Sequence, residues 1–516
     1  MTQTMPQKID CVVVGAGHNG LVCATYLARA GRSVMVLEAA DQVGGAARTR
    51  QLGAEAKVSS GAHLLYALPG KLQRELQLQS HGLRFAAQGL STLSLSETGK
   101  VMELGKELGK QLGTEPVPTS MGAAALSPAD LKAYARFQAD MDRFAKALLP
   151  VFDKLPARVT PQSWIERLQL LGLGWAIRKL GAFHMREFLR IIGLNLYDLL
   201  DEYFDNAQLK AAIAMDGLLG SEWGPRSMGS VLTYLNRRVA MLRGEGTGLA
   251  LPEGGMGAVT QALAAAAKAA GVHIHTATGV RRILVQDGRT TGVELNSGSV
   301  VQAACVISNA DPKRTFLQLV SAEHLDAGFV RRIKNLRCRG HVGKLHLVLQ
   351  GQPAFRGLEP GKLGQRLLIA PTMDAIELAF NPCKYQGYPD APVLEITVPS
   401  VHDKSLTHPD QHVLSAVVQY LPYDDSARED ANRAAFLQTL LALLERYAPA
   451  IGSQVLHGEL LTPRDIEREF GITGGHWHHV EMAFETFYFN RPVPALARHA
   501  TPIQGLYLCG AGTHPG

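Results

Sequence analysis

The stretch that decides the fold is VVVGAGHNG, residues 12–20, followed by a helical pattern over residues 21–30, then Gly31, then an apolar run over residues 33–37 that ends at Glu38. Strand, glycine turn, helix, strand and acid in this order make a βαβ unit that binds an adenine dinucleotide. Gly15 permits the tight turn, Gly17 lets backbone N–H groups approach a pyrophosphate, and Gly20 lets the helix pack close to the sheet. The helix N-terminus then faces the phosphates. Glu38 stands eighteen residues beyond Gly20 (38 − 20), where its carboxylate accepts hydrogen bonds from both ribose hydroxyls, which disfavours a 2′-phosphate. A lone GxGxxG is a weak signal; here the context gives it weight.

The residues just beyond Glu38 point to FAD over NAD. Gly44, Gly45 and Arg48 in DQVGGAARTR lie one short loop after it. A second glycine turn there brings more backbone to the diphosphate, and an arginine balances its charge. With Asn19 in the first turn, the expected cofactor-binding positions are Gly15, Gly17, Asn19, Gly20, Glu38, Gly44, Gly45 and Arg48. The sequence has no second GxGxxG in a strand-to-helix context, so no separate nicotinamide domain is expected.

Outward from this motif, the 516 residues exceed what one core usually supports. Hydrophobic residues make up 46% and charged residues 19%, as in an ordinary globular protein. A formal charge of +6 without a long Lys/Arg block gives no reason to expect a nucleic-acid partner. Cys11, Cys23, Cys305, Cys338, Cys383 and Cys509 form no CxxC pair and no metal-ligand spacing, so they read as reduced thiols of a cytoplasmic protein with no metal site. The start MTQTMPQKID has no apolar h-region, and no signal peptide is expected. No uncharged apolar stretch reaches the roughly 20 residues that span a bilayer; a membrane contact would be peripheral.

Residues 72–243 show long helical patterns, broken by a small-residue stretch at 114–125. Nucleotide-domain texture returns with LPEGGMG, residues 251–257, which opens an Ala-rich helix closed by Gly271. Strands follow near residues 272–276, 280–286, 290–296 and 299–307, with a hairpin at Asp287-Gly288. Segments 341–350, 393–398 and 412–420 read as strands and 427–447 as a helix. A buried strand at 505–509 then leads into GAGTHPG. The expected fold is α/β: a Rossmann-type FAD-binding domain assembled from residues 1–71, 246–315 and 491–516, with a largely helical cap over 72–245 and a mixed α+β substrate domain over 316–490.

Taken together, these motifs resemble the phytoene-dehydrogenase-related flavoproteins. That family includes bacterial phytoene desaturases, carotenoid isomerases and the group called pyridine nucleotide-disulphide oxidoreductase domain-containing protein 2. The resemblance runs from VVVGAGHNGLV and VGGAA through LPEGGMGAV, VISNADP and GITGGHWHHVEM to LYLCGAGTHPG, nearly the whole length. GITGGHWHHVEM followed by FNRP looks closest to the last group, whose name does not suit a chain without a redox CxxC. The resemblance implies that the backbone of Val280 meets the adenine and that Gly510, Ala511 and Gly512 lie beside the diphosphate and ribityl chain. In the family this closing motif continues into a glycine-rich turn and a helix aimed at the flavin ring. The present sequence ends at Gly516, so either it is part of a longer chain or the ring end of the site is incomplete. Ala46 stands where many relatives carry arginine.

Candidates for catalysis are fewer. His63 in SSGAHLLY either faces the flavin ring or is a hydrogen-bonded core histidine. His476, His478 and His479 cluster in TGGHWHHVEM without the spacing of a helix-borne metal site. His479 matches a recurrent histidine of the family and is the second catalytic candidate, with a structural role as its alternative. Trp477 and Tyr488 line the pocket or belong to the core. Residues 164–183, WIERLQLLGLGWAIRKLGAF, suit either a helix capping the substrate channel or one lying in a membrane interface.

The function expected is that of an FAD-dependent oxidoreductase taking hydride from a largely apolar, polyene- or lipid-like molecule and passing electrons to oxygen or a quinone. Redox-neutral polyene isomerisation by reduced FAD, and a flavin-bound interaction protein with little turnover, are the alternatives.

Overall fold

The computed structural model describes residues 8–105, 126–158, 161–244, 246 and 248–515. The small-residue stretch at 114–125 and Gly516 lie outside the described residues.

The apolar runs of the opening motif become neighbours in one sheet. Strand Lys8–Val14 pairs in parallel with Val34–Leu37 on one side and with Val300–Ser308 on the other. Val34–Leu37 in turn pairs with His273–His275. The second half of Val300–Ser308 carries Leu506–Leu508 in parallel, while its first half pairs with the antiparallel hairpin Val280–Gln286/Arg289–Leu295. Three separated stretches of chain thus build a single sheet. Its central strands are almost wholly buried, as parallel strands covered on both faces must be.

Alternation assigns the two faces. Cys11, Val13, Val34 and Val36 pack with Leu21 and Ala24 of helix His18–Arg29 and with the Ala-rich helix Gly257–Ala269. Val12, Val14, Met35 and Leu37 pack with Phe316, Phe329 and Ile333. Asp287 and Gly288 take φ of 49° and 72°, the left-handed turn expected between the two hairpin strands.

A second sheet runs in the order Val455–Leu461, Val342–Gln350, Gln411–Gln419, Val393–Thr397, Arg366–Ile369, Thr92–Ser94, Met102–Leu104. One face carries Leu345, Leu347, Leu394, Ile396, Leu414 and Ala416 against Phe436, Leu440 and Leu444 of helix Glu429–Tyr447. By the two-residue period, the other face carries Lys344, His346, Arg366, Glu395, Thr397 and Ser415, all buried. Farther along that polar-bearing face, Val342, Leu368, Val393 and Val417 join the core of the helical layer, with Phe137, Phe144, Leu209 and Tyr234. Helices Pro128–Phe152, Leu196–Tyr203 and Ala207–Leu218 of this layer start at Ser127, Asn195 and Asn206, whose side chains accept the N–H three residues on.

The strands Phe85–Gln88, Thr92–Ser94 and Met102–Leu104 fall within the stretch whose patterns read as helical. At three or four residues each they are too short to show a period of two. No helix among the described residues is long and apolar enough to cross a membrane.

Candidate functional site

At the carboxyl end of the first sheet the glycine turn and the second glycine pair come together. The Gly15 N–H donates to Leu37 O at 2.8 Å and the Gly44 N–H to Ala16 O at 2.9 Å, and Gly17 and Gly44 form a parallel bridge. Gly15 sits at φ +97° and Gly44 at +121°, conformations that L side chains rarely adopt. Helix His18–Arg29 begins at Gly17 with no side-chain cap and no acid in its first turn, so its leading N–H groups have no intrahelical acceptor. Asn19 lies in that turn. A Cβ on Gly20 would stand 2.4 Å from Gly15 O, which fixes the close packing of helix on turn.

Glu38 closes the second strand. Its two carboxylate oxygens accept from the backbone N–H of Ala16 at 2.6 Å and of Ala40 at 2.9 Å. The Thr278 N–H donates to Glu38 O and the Ala277 N–H to Ala40 O, which brings Val280, the first residue of the hairpin, to the same edge. Gly45 sits with its Cβ position 3.7 Å from Gly17 Cα. Arg48 is directed elsewhere: its guanidinium pairs with Glu469 at 2.8 Å and lies over the Phe470 ring. The charge expected to balance the diphosphate is already neutralised.

Two residues outside the expected set organise the cradle. Asn309 follows strand Val300–Ser308 and donates its N–H to Val14 O. Its side chain abuts the Cβ positions of Gly15, Gly17, Gly20 and Gly510. It stands in VISNADP, where an asparagine just past a buried strand is its only signal. Arg491 is fully buried and donates to Ala511 O at 2.7 Å, His478 O at 2.8 Å and Val480 O at 3.1 Å. It fastens the closing motif to the histidine-rich loop.

In that loop the three histidines separate in role. His476 lies 3.2 Å from Glu481, and both are buried. Burial opposes the charge on Glu481, but His476 and the Glu222 N–H hold its pKa at about 2. The His478 N–H donates to His476 Nδ1. His479 sits at φ +63° beside the closing motif, with its Cβ 3.1 Å from the Cβ position of Gly512, and its Nδ1 is buried without a partner. Burial lowers its pKa to about 4. Trp477 fills the space left by Gly220, and Tyr488 packs on His514. Among the described residues no group of three or more His, Cys, Asp or Glu is placed to hold a metal ion.

His63 lies on the second sheet. Its Nε2 is 3.0 Å from Glu395 Oε1 and its Nδ1 3.4 Å from Thr397 Oγ1. Burial, with Lys344 adding to it, lowers its pKa to about 4. The ring is neutral at pH 7, with Nε2–H donating to Glu395. Burial works against the charge on Glu395 too, but Arg366 and His63 keep it ionised well below the usual carboxylate range. Nearby, Lys344 Nζ, His346 Nε2 and Ser60 Oγ are buried with no hydrogen-bond partner. A narrow cavity here is lined by His63 and Ser415 and by Leu251, Pro252, Met256 and Val413. Thus His63 and His479, the two catalytic candidates, belong to different patches, and both ring nitrogens of His63 are already engaged.

The signature of the family described as flavin containing amine oxidoreductase matches residues 20–516. The chain belongs to that family. The flavoprotein is 33% identical over 529 residues to the rat pyridine nucleotide-disulfide oxidoreductase domain-containing protein 2, covering 99% of this chain and 90% of the rat protein. It is 24% identical to a limonene dehydrogenase chain of Castellaniella defragrans, over 99% and 92% of the two sequences. In fold it is similar to an oxidoreductase from Methanosarcina mazei, with a TM-score of 0.61, 18% identity and coverage of 98% and 95%.

The flavoprotein is an FAD-dependent oxidoreductase with the expected α/β fold. Its cradle fits the cofactor. The leading amides of an uncapped helix, two glycine turns free of Cβ atoms and the orphaned His479 Nδ1 beside the closing motif are groups that a phosphate-bearing ligand completes.

Proposed function

We propose that this flavoprotein oxidises a largely apolar organic substrate, taking a hydride from one C–H bond while a second hydrogen leaves as a proton, with oxygen or a quinone reoxidising the cofactor. FAD supplies the two-electron acceptor when bound. What supports the reading is that helix Gly257–Ala269 runs from a cavity lined by Leu251, Pro252, Met256 and Val413 with Lys57, His63 and Ser415 to the glycine cradle, where Thr260 Oγ1 stands 2.7 Å from the Cβ position of Gly44. The name of the Castellaniella relative, a limonene dehydrogenase, agrees with a hydrocarbon-like substrate.

In this reading Gly15, Gly17, Asn19, Gly20, Gly44, Gly45 and Gly510–Gly512 hold the diphosphate and its neighbours through backbone. Glu38 takes the ribose hydroxyls and Val280 meets the adenine, while Arg48, paired with Glu469, is left out of the diphosphate contacts. His479 touches the cofactor through its free Nδ1. His63, with its nitrogens engaged by Glu395 and Thr397, stands in the cavity wall. The domain limits at 71, 245, 315 and 490 go with this reading, with Thr92–Ser94 and Met102–Leu104 lending strands to the substrate sheet.

Anaerobic titration of the holoprotein with terpenes and linear polyenes, followed by flavin absorbance, tests the proposal. A net oxidation bleaches the flavin in proportion to substrate added. Geometric isomerisation of a polyene by pre-reduced protein, with no bleaching of the oxidised form, would replace it by the isomerase reading.

A further inference from the structure

Helix Trp164–Arg178 is apolar on two opposite sides. At 3.6 residues per turn, Glu166, Leu173 and Ile177 share one side, and the latter two pack with Leu180 against the core of the helical layer. Trp164, Leu168, Leu171 and Trp175 recur at i, i+4, i+7 and i+11 on the other side, facing solvent. They are 69%, 54%, 67% and 60% exposed. Ile165 beside them and Phe183 on the next helix, Gly181–Ile191, are exposed as well. A contiguous uncovered patch of this kind marks an interaction surface.

Charge selects the partner. Arg167, Arg178, Lys179 and Arg186 are all exposed around the patch, and Lys179 Nζ sits 3.4 Å from the centre of the Trp175 ring. Between residues 164 and 186 Glu166 is the one acid; it is 4% exposed and paired with Arg158 and Arg498. Glu187, four residues beyond Phe183, is partly exposed and paired with Arg190, so the patch presents an apolar stripe with a mainly cationic rim. A second copy docked on it about a two-fold axis would set cation against cation. An anionic bilayer meets both features: the indoles and leucines enter the headgroup boundary and the rim pairs with lipid phosphates.

We propose that this face docks the flavoprotein on the surface of membranes containing anionic lipid, with helix Trp164–Arg178 lying in the interface plane. The docking is independent of the redox reading and adds to it a surface from which an apolar molecule is delivered.

The test uses full-length holoprotein and vesicles of phosphatidylcholine alone or mixed with phosphatidylglycerol, separated by flotation. Wild type floats with the mixed vesicles, far less with phosphatidylcholine alone, and high salt weakens the binding. Two variants are compared, Trp164→Ser/Leu168→Gln/Leu171→Gln/Trp175→Ser and Arg167→Glu/Arg178→Glu/Lys179→Glu. Each alters only exposed side chains, and bound-flavin absorbance reports that it is folded. Each should partition at least about tenfold more weakly. Wild type that stays unbound with mixed vesicles overturns the proposal, as do variants that float like wild type. A concentration-dependent dimer that the first variant abolishes, with no vesicle binding, also overturns it and assigns the face to a second copy.

Discussion

A Cβ placed on Gly17 would lie 2.7 Å from Nδ2 of Asn309. Two parts of the cofactor cradle, distant in sequence, thus share one space. Any side chain at position 17 must push Asn309 away or close the turn. Gly17→Leu is expected to yield folded protein with less than about a tenth of the wild-type FAD, since the N–H groups it shields are the proposed phosphate ligands. Equilibrium dialysis against FAD checks this. Wild-type affinity in the variant would show that the diphosphate lies elsewhere.

His479 and His476 should respond differently to glutamine. His476 is buried against Glu481, and His476→Gln is expected to cost roughly 1–3 kcal/mol of stability. The Nδ1 of His479 has no protein partner, and His479→Gln should keep the fold and the yellow colour while slowing flavin reduction by substrate. Urea unfolding and stopped-flow reduction of both variants separate the roles. A His479→Gln protein with unchanged reduction kinetics, or one that does not fold, returns this residue to the scaffold.

Acid should destabilise the protein over two successive pH ranges. The pKa of His63 falls from an ordinary 6.5 to about 4 on folding, through burial first and Lys344 second. Between those values the unfolded chain binds a proton that the folded one does not, so stability is full above 6.5 and declines as pH falls toward 4. Glu481, shifted from 4.5 to about 2 against the effect of its burial, contributes the same sign between those lower values. Urea midpoints measured across this range should drop steadily below pH 6.5, and His63→Gln should make the upper part shallower without abolishing it, because burial also lowers the pKa of His479 and of His514 to about 4. A midpoint that rises on acidification would contradict the neutral assignment of His63.

NADH and NADPH should reduce the flavin slowly, because the chain's recognisable dinucleotide fingerprint is used by FAD. Stopped-flow mixing is the check, and rapid, saturable bleaching by either nucleotide would require a second nucleotide site.

The cradle was legible because its parts are local. The order of Gly15, Gly17, Gly20 and Glu38 along a single βαβ unit fixes their meeting, and the runs at 273–275, 280–286 and 289–295 announce themselves by turns and β-branched residues. Arg48 misled because its partner, Glu469, is more than four hundred residues away. Asn309 and Arg491 act through backbone groups and glycine surfaces, which leave no spacing to read. The polar face of the second sheet was hidden for a further reason. Lys344, His346, Glu395 and Ser415 look like the solvent side of an amphipathic strand, and only the segment carrying Ser60 and His63, with Arg237 of the helical layer, turns them into an interior. The helix at 164–178 carried its signal in composition, but which of its two apolar sides is covered depends on tertiary packing.

FAD binding is decided by the flavin content of purified, reconstituted full-length protein. FAD released by denaturation, identified by chromatography and quantified against protein, should approach one per chain, with none left covalently attached. A colourless protein that takes up no FAD on reconstitution, or one that binds only NAD or NADP, would contradict the central claim.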